Sequence, residues 1–139
     1  MRELTELAVE LAKQSRVIEQ LLSEQTQLPI SQIRLLLKMD QHPINLQVLT
    51  NDLALDASTL SRQLASLIVK GEVGVVTLSD KRQREYHLTE TGMTCHRQLW
   101  QQLDALQTAW LGDWCDEDIH SLAKLLKRAL SQVQSPKVK

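Results

Sequence analysis

The chain has 139 residues, the size of one domain, and 42% of them are hydrophobic, which is enough for a buried core. Its formal net charge of −1 excludes a strong overall basic excess, so any binding to nucleic acid must depend on local charge. Two cysteines cannot make a disulfide framework, and no apolar run approaches the roughly 18 residues of a membrane span. We therefore expect a cytoplasmic protein with reduced thiols.

Helical periodicity dominates the first third of the chain. Apolar residues recur at steps of three and four over residues 2–25, which predicts an amphipathic helix. Pro29 is suited to begin a second helix, which should close near Pro43. Asn45 is an N-cap residue type and predicts a short third helix directly after it.

A tight break at Asp56 separates the third helix from a fourth. Asp56 can cap a helix over about 57–70, and Gly71 is suited to end it. Two short helices joined by a tight break are typical of a helix-turn-helix.

The pattern then changes to that of β-strands. Residues 73–78 and 86–88 are β-branched or apolar, and the polar segment 79–85 between them is turn-like, which predicts a β-hairpin. A charged hairpin directly after a helix-turn-helix is a wing. The predicted fold class is mainly α with a small β-hairpin wing, a winged helix-turn-helix.

Two more helices complete the predicted fold. The first spans 90–112, with Thr89 as its cap, and the second follows a break at Gly112. Asp116 to Asp118 place negative charge at the start of the last helix, as the helix dipole favours. The tail 135–139 should be frayed.

Four short motifs lie within residues 49–92: DASTLSRQL at 56–64, LIVKG at 67–71, DKR at 80–82 and Leu-Thr-x-x-Gly at 88–92. Together they resemble the MarR (multiple antibiotic resistance regulator) family. The first two look like the recognition helix of that family and its exit, and the last two match its wing tip and the entry into its fifth helix. The spacing from Asp80 to Leu88 fits that family without a gap.

The resemblance implies one MarR-like domain over 1–139. Its DNA-binding part would span 28–89, and 1–27 and 90–135 would be N- and C-terminal dimerisation helices. Two helices related by a two-fold axis, about 34 Å apart, contact a palindrome. The alternative is that the terminal helices pack within one monomer. The candidate interface residues are Trp110, Trp114 and the leucine stripe after Ile119.

The resemblance also implies that helix 57–70 lies in the major groove of DNA. Arg pairs with guanine, Gln with adenine, and hydroxyls with bases or phosphates, so the polar residue types here suit this role. The alternative is that Ser58, Thr59 and Ser61 reflect the ordinary polarity of a helix start and that Arg62 is a solvated surface charge. The expected DNA-facing residues are Ser58, Thr59, Ser61, Arg62 and Gln63.

In the wing, the resemblance implies that Arg82 enters the minor groove and that Asp80 holds it in place. Lys81 and Arg84 would contact phosphates. The alternative is a solvated turn in which the Asp–Arg pair is exposed and contributes little to stability. Members of the family often carry an Arg early in the wing, whereas 72–76 has none, so we expect modest affinity with strong salt dependence.

The sequence therefore predicts a sequence-specific transcription regulator that binds double-stranded DNA as a homodimer on a palindromic operator. From the resemblance we expect a repressor that a small-molecule effector releases. Gly-rich phosphate loops, nucleophile elbows and paired carboxylates are missing, so we expect neither an enzyme nor a cofactor.

Two alternatives stay open. Near-neutral charge is compatible with a winged-helix protein-interaction module that does not bind DNA. A thiol-based redox-sensing regulator would use Cys95 or Cys115, although the acidic residues after Cys115 disfavour a thiolate there. The four histidines form no pair with ligand spacing, so no metal site is expected.

Overall fold

The computed structural model describes residues 1–78 and 83–133. The chain divides into two compact units, Met1–Leu106 and the residues from Gln107 onward. Within the described ranges the helices are α1 (Arg2–Thr26), α2 (Ile30–Lys38), α3 (Leu46–Leu53), α4 (Ala57–Val69), α5 (Glu90–Leu111) and α6 (Asp116–Gln132), and the strands are β1 (Ile44–Asn45), β2 (Val73–Thr77) and β3 (Arg84–Leu88). The predicted winged helix-turn-helix is confirmed.

The core of the first unit draws on helices α1 to α5 and on strands β2 and β3. Leucine fills most of it, as expected for a chain that has no phenylalanine. In α4 the fully buried leucines are four and three residues apart, and in α2 the fully buried Ile33 and Leu36 are three apart with Leu35 beside them, so each helix turns one apolar stripe inward. The core residues are Leu22, Ile33, Leu35, Leu36, Met39, Leu49, Leu60, Leu64, Leu67, Val73, Tyr86, Leu88 and Leu99.

Both predicted N-caps are present. Asn45 Oδ1 accepts a hydrogen bond of 2.8 Å from the backbone N–H of Val48 at the start of α3. Asp56 Oδ1 accepts one of 2.7 Å from the backbone N–H of Thr59 at the start of α4. Each cap satisfies an N–H that has no partner inside its helix, which sets where the two helices begin.

The sheet contains a strand that the sequence does not reveal. Strand β1 pairs with β3 in antiparallel register, Ile44 opposite Tyr86, and the strand order is β1-β3-β2. Two residues are too few to show an alternating pattern, so no periodicity could indicate this strand. The pairing attaches the start of α3 to the hairpin.

Strand β3 begins earlier than predicted. Arg84 and Glu85, expected in the turn, pair with Thr77 and Val76 of β2. The cause is cross-strand hydrogen bonding, which overrides the weak strand preference of a charged pair.

The end of α4 is closed by a glycine in the left-handed region. Gly71 has φ 79°, and its N–H donates to the carbonyl of Ile68 at 2.9 Å. The N–H of Glu72 donates to the carbonyl of Leu67 at 3.0 Å. This pair of bonds is the Schellman motif, and it confirms Gly71 as the predicted end of the helix.

Thr89 joins the two ends of the hairpin. Its hydroxyl donates to the Gly71 carbonyl at 2.6 Å and accepts from the Gly92 N–H at 3.1 Å, so it caps α5 as predicted. A Cβ added at Gly92 would overlap the carbonyl oxygen of Glu72. The Leu-Thr-x-x-Gly motif therefore has a physical basis: the threonine closes the hairpin and the glycine permits close contact.

Helix α6, in the second unit, begins with three acidic residues, as predicted from its sequence. None of its residues is buried, and Leu125 and Leu130 are 60% and 69% exposed. Across the helices of 1–78 and 83–133, none is long and apolar enough to cross a membrane.

Candidate nucleic-acid interface

Helix α4 has two distinct faces. Leu60, Leu64 and Leu67 are fully buried and hold one face against the core. Ser58 and Arg62, one turn apart, are exposed on the opposite face. The outward face therefore presents hydrogen-bonding groups near the N-terminal end of the helix.

The N-cap orders the first turn of this face. Ser58 Oγ donates to Asp56 Oδ1 at 2.8 Å, which leaves the serine oxygen free to accept. The bonds from Thr59 and Ser58 hold the pKa of the exposed Asp56 carboxyl below its usual range. Arg62 Nη2 lies 3.5 Å from Thr59 Oγ1, a long contact that leaves the guanidinium available.

Gln63 is placed differently from the other predicted residues. Its side chain is half-buried, and its Oε1 atom is buried without a hydrogen-bond partner. Gln63 lies three residues after Leu60 and four before Leu67, so it shares their side of the helix. The structure thus separates Gln63 from Ser58 and Arg62.

A cleft of about 700 Å³ lies beside α4 and is bordered by α3 and the hairpin. Ser61 of α4 and Arg84 of β3 both line it. Gln47 and Thr50 of α3 also line it, and neither was predicted from the sequence. The signal that could have indicated them is their place on the helix that packs directly against α4 in a helix-turn-helix.

Charge in this region is nearly balanced among the described residues. Arg62 and Arg84 are accompanied by Asp56 and by Glu85, which also lines the cleft. The predicted wing residues Asp80, Lys81 and Arg82 lie outside the described residues. Any local positive excess at this surface therefore depends on the hairpin tip.

The two cysteines have different surroundings. Burial, followed by the nearby Glu72 carboxylate, raises the pKa of the half-buried Cys95 thiol. Cys115 is exposed at the N-cap of α6. In the described part of the chain, no group of three His, Cys, Asp or Glu side chains is placed to hold a metal ion.

The helix-turn-helix, the flanking hairpin and the cleft between them define a winged-helix fold. Wild-type MarR from E. coli in its apo form superposes with a TM-score of 0.76 at 22% identity, covering 91% of this chain and 96% of that one. BldR from Sulfolobus solfataricus gives 0.79 at 20% identity, covering 94% of each chain. FabT from Streptococcus pneumoniae, solved in complex with DNA, gives 0.73 at 19%, again covering 94% of each.

These similarities establish that the chain has the fold of the MarR-type transcriptional regulators over nearly its whole length. Comparison with models of protein families finds no match, and neither does comparison with curated proteins.

Proposed function

We propose that this protein is a MarR-type transcription regulator that binds duplex DNA as a homodimer and is not an enzyme. One observation carries the proposal: α4 turns Ser58 and Arg62 outward while Ser61 opens onto a cleft shared with the wing. The complex of FabT with DNA supports it, since that protein has the same fold. Because the target is DNA, we retain the expectation of a cytoplasmic protein.

In this proposal α4 enters the major groove. Arg62, at the centre of the exposed face, donates two hydrogen bonds to a guanine, the commonest specific contact of this residue type. Ser58, whose hydroxyl proton goes to Asp56, accepts from a donor on a base edge. Ser61 donates to or accepts from base edges, or donates to a phosphate. Thr59 and Gln63 contribute less, since both are half-buried.

The cleft accommodates the sugar–phosphate strand that separates the major from the minor groove. Gln47 and Arg84 line the cleft with amide and guanidinium donors, and these groups suit phosphate oxygens. The Thr50 hydroxyl also lines the cleft but donates to the Gln47 carbonyl at 2.7 Å. By the resemblance, Arg82 enters the adjacent minor groove with Asp80 beside it, and Lys81 adds a phosphate contact. Phosphate contacts fix the register of the protein on DNA, while Arg62 supplies sequence preference.

The homodimer is proposed from apolar surface that the single chain leaves uncovered. In α1, Leu4 and Leu7 are 63% and 59% exposed. In the second unit, Trp110, Trp114 and the α6 residues Leu125, Leu126 and Leu130 are also exposed. Large exposed apolar surface marks an interaction site, and a second copy would cover it. Two copies of α4 would then contact half-sites of a palindrome.

Repression of transcription and release by a small-molecule effector complete the proposal. Both follow the resemblance to the family rather than a feature of this chain. An effector acts only if it binds the DNA-competent dimer and the incompetent dimer with different affinities.

Selection of bound sequences from a random duplex pool tests the proposal. We expect enrichment of a palindrome whose half-site centres lie about one helical turn apart, roughly 10 base pairs. Size-exclusion chromatography with light scattering should give the mass of a dimer. Failure to bind any duplex at low salt and micromolar protein would favour the interaction module instead. Binding without sequence enrichment would contradict a regulator of specific genes.

A further inference from the structure

Gln32 of α2 has a buried polar side chain, at 7% exposure. Its Nε2 atom donates to Ser66 Oγ at 3.1 Å, and its Oε1 atom accepts from Lys70 Nζ at 2.6 Å. Ser66 and Lys70 lie one turn apart at the C-terminal end of α4. One amide group on α2 therefore bonds to two successive turns of the helix that carries the proposed DNA-binding face.

Burial alone does not account for an amide at this position. Ile33, Leu35 and Leu36, its neighbours on α2, are fully buried and apolar. An apolar side chain would bury the same surface without the need to satisfy two polar groups. What the amide adds is a constraint on how α4 is rotated relative to α2. Hydrogen bonds require defined distances and angles, whereas leucine packing tolerates small shifts.

The rotation of α4 about its own axis decides where its exposed side chains are placed. A rotation of the helix by about 20° would move the end of an outward side chain by about 2 Å. Such a shift exceeds the range of distances over which a hydrogen bond to a base edge forms. Ser66 lies one turn after Arg62, so bonds that fix Ser66 and Lys70 also fix the direction in which Arg62 leaves the helix.

We propose that Gln32 is a positioning residue for DNA recognition: it sets the rotation of α4 and thereby the placement of Arg62. This inference rests on the proposed function. Gln32 is buried, so it acts through α4 and does not itself contact DNA. Its loss should therefore reduce discrimination between sequences more than it reduces attraction to phosphates.

The test compares three variants of the full-length protein with the wild type. Gln32→Leu removes both bonds and keeps the size of the side chain. Gln32→Glu is the conservative variant, since a carboxylate accepts from Lys70 and from the hydroxyl of Ser66. Gln98→Leu, at an exposed position of α5, is the matched control. Fluorescence anisotropy gives Kd for the selected operator and for unrelated duplex at one salt concentration.

We expect Gln32→Leu to weaken operator binding about tenfold while binding to unrelated duplex stays nearly constant. Gln32→Glu should restore most of the discrimination, and Gln98→Leu should behave as wild type. Equal weakening on both DNAs, or no rescue by Gln32→Glu, would overturn the positioning role.

Amide hydrogen exchange on the DNA-free protein separates this proposal from the proposed function. Gln32→Leu should speed exchange in the last turn of α4 without affecting α5. Unchanged exchange there overturns the role of Gln32, whatever the protein binds. A wild-type protein that binds no duplex overturns the proposed function and, with it, the recognition role, while the exchange result still decides whether Gln32 holds α4.

Discussion

Arg34 of α2 donates two hydrogen bonds to the carboxylate of Glu19 on α1, from Nε at 2.6 Å and from Nη2 at 2.9 Å. A paired geometry of this kind is the strong form of an arginine–carboxylate contact. It joins the helix that carries part of the proposed dimer surface to the helix whose Gln32 bonds to α4. The charge pair therefore holds α1 to α2, and the Gln32 amide separately holds α2 to α4.

This pair should make stability depend on pH. The bonds from Arg34 hold the pKa of Glu19 below its usual range, so the folded protein binds the proton less readily than the unfolded chain. The contribution is complete above the ordinary glutamate pKa of about 4.3 and is lost as pH falls through the lowered value. Glu19→Gln should lower the free energy of unfolding at pH 7 by at most about 1 kcal/mol, because Arg34 is half exposed.

Urea unfolding at pH 7 and pH 3 measures that difference, which should shrink at the lower pH. Glu10→Gln is the control, since Glu10 and Lys13 form an exposed pair at 3.9 Å. A Glu19→Gln effect of the same size at both pH values would contradict the assignment.

Arg62→Ala should weaken binding to the selected operator by about 1–3 kcal/mol and binding to unrelated duplex by less. Arg97 of α5 provides a close match, because its Nη2 atom also lies 3.5 Å from the hydroxyl of a threonine three residues earlier. Arg97→Ala should leave both affinities unchanged. Equal losses on the two DNAs would remove Arg62 from base recognition.

Arg82→Ala should lower affinity for every duplex with little change in the urea unfolding midpoint, since the expected contact is with the minor groove and its phosphates. Titrations over a range of salt concentrations check this. The slope of log Kd against log salt should become shallower by about one charge. An unaltered slope and affinity would exclude the wing from the interface.

Gly92→Ala should destabilise the fold by more than about 2 kcal/mol, because the added Cβ would overlap the backbone of Glu72, which cannot move freely. Gly71→Ala is the comparison. It has open space around it but a positive φ, so we expect a cost of about 1–2 kcal/mol. Chemical denaturation should rank Gly92→Ala as the more severe change, and the reverse order would refute the close contact.

The two thiols should react at different rates with a disulfide reagent at pH 8. Cys95 is half-buried and its pKa is raised by burial and by Glu72, so little thiolate forms. Cys115 is exposed and should react first. Cys115→Ser should therefore remove the fast phase of labelling. A fast phase that survives this substitution would reopen redox sensing through Cys95.

Structure could be predicted from the sequence where a single residue type has one common structural role, such as capping or ending a helix. Asn45 and Asp56 as caps and Gly71 as a helix end follow from chemistry within a few residues of each position. Strand β1 and the bonds of Gln32 depend on partners 34 to 42 residues away in sequence, which no local pattern encodes. Gln63 is intermediate: its residue type suits DNA, but its position beside the buried leucines could only be judged once the inward stripe of α4 was known.

The hydroxyl of Thr89 closes the base of the hairpin. Because Gly71 and Gly92 both bond to Thr89, the exit of α4 and the entry of α5 are held together there by bonds within the described residues. Lengthening, shortening or exchanging the tip should therefore leave the helices in place. An insertion or deletion in the tip would then change the proposed minor-groove contact without moving α4 or α5. The hairpin is for the same reason a suitable position for grafting wing sequences from other proteins.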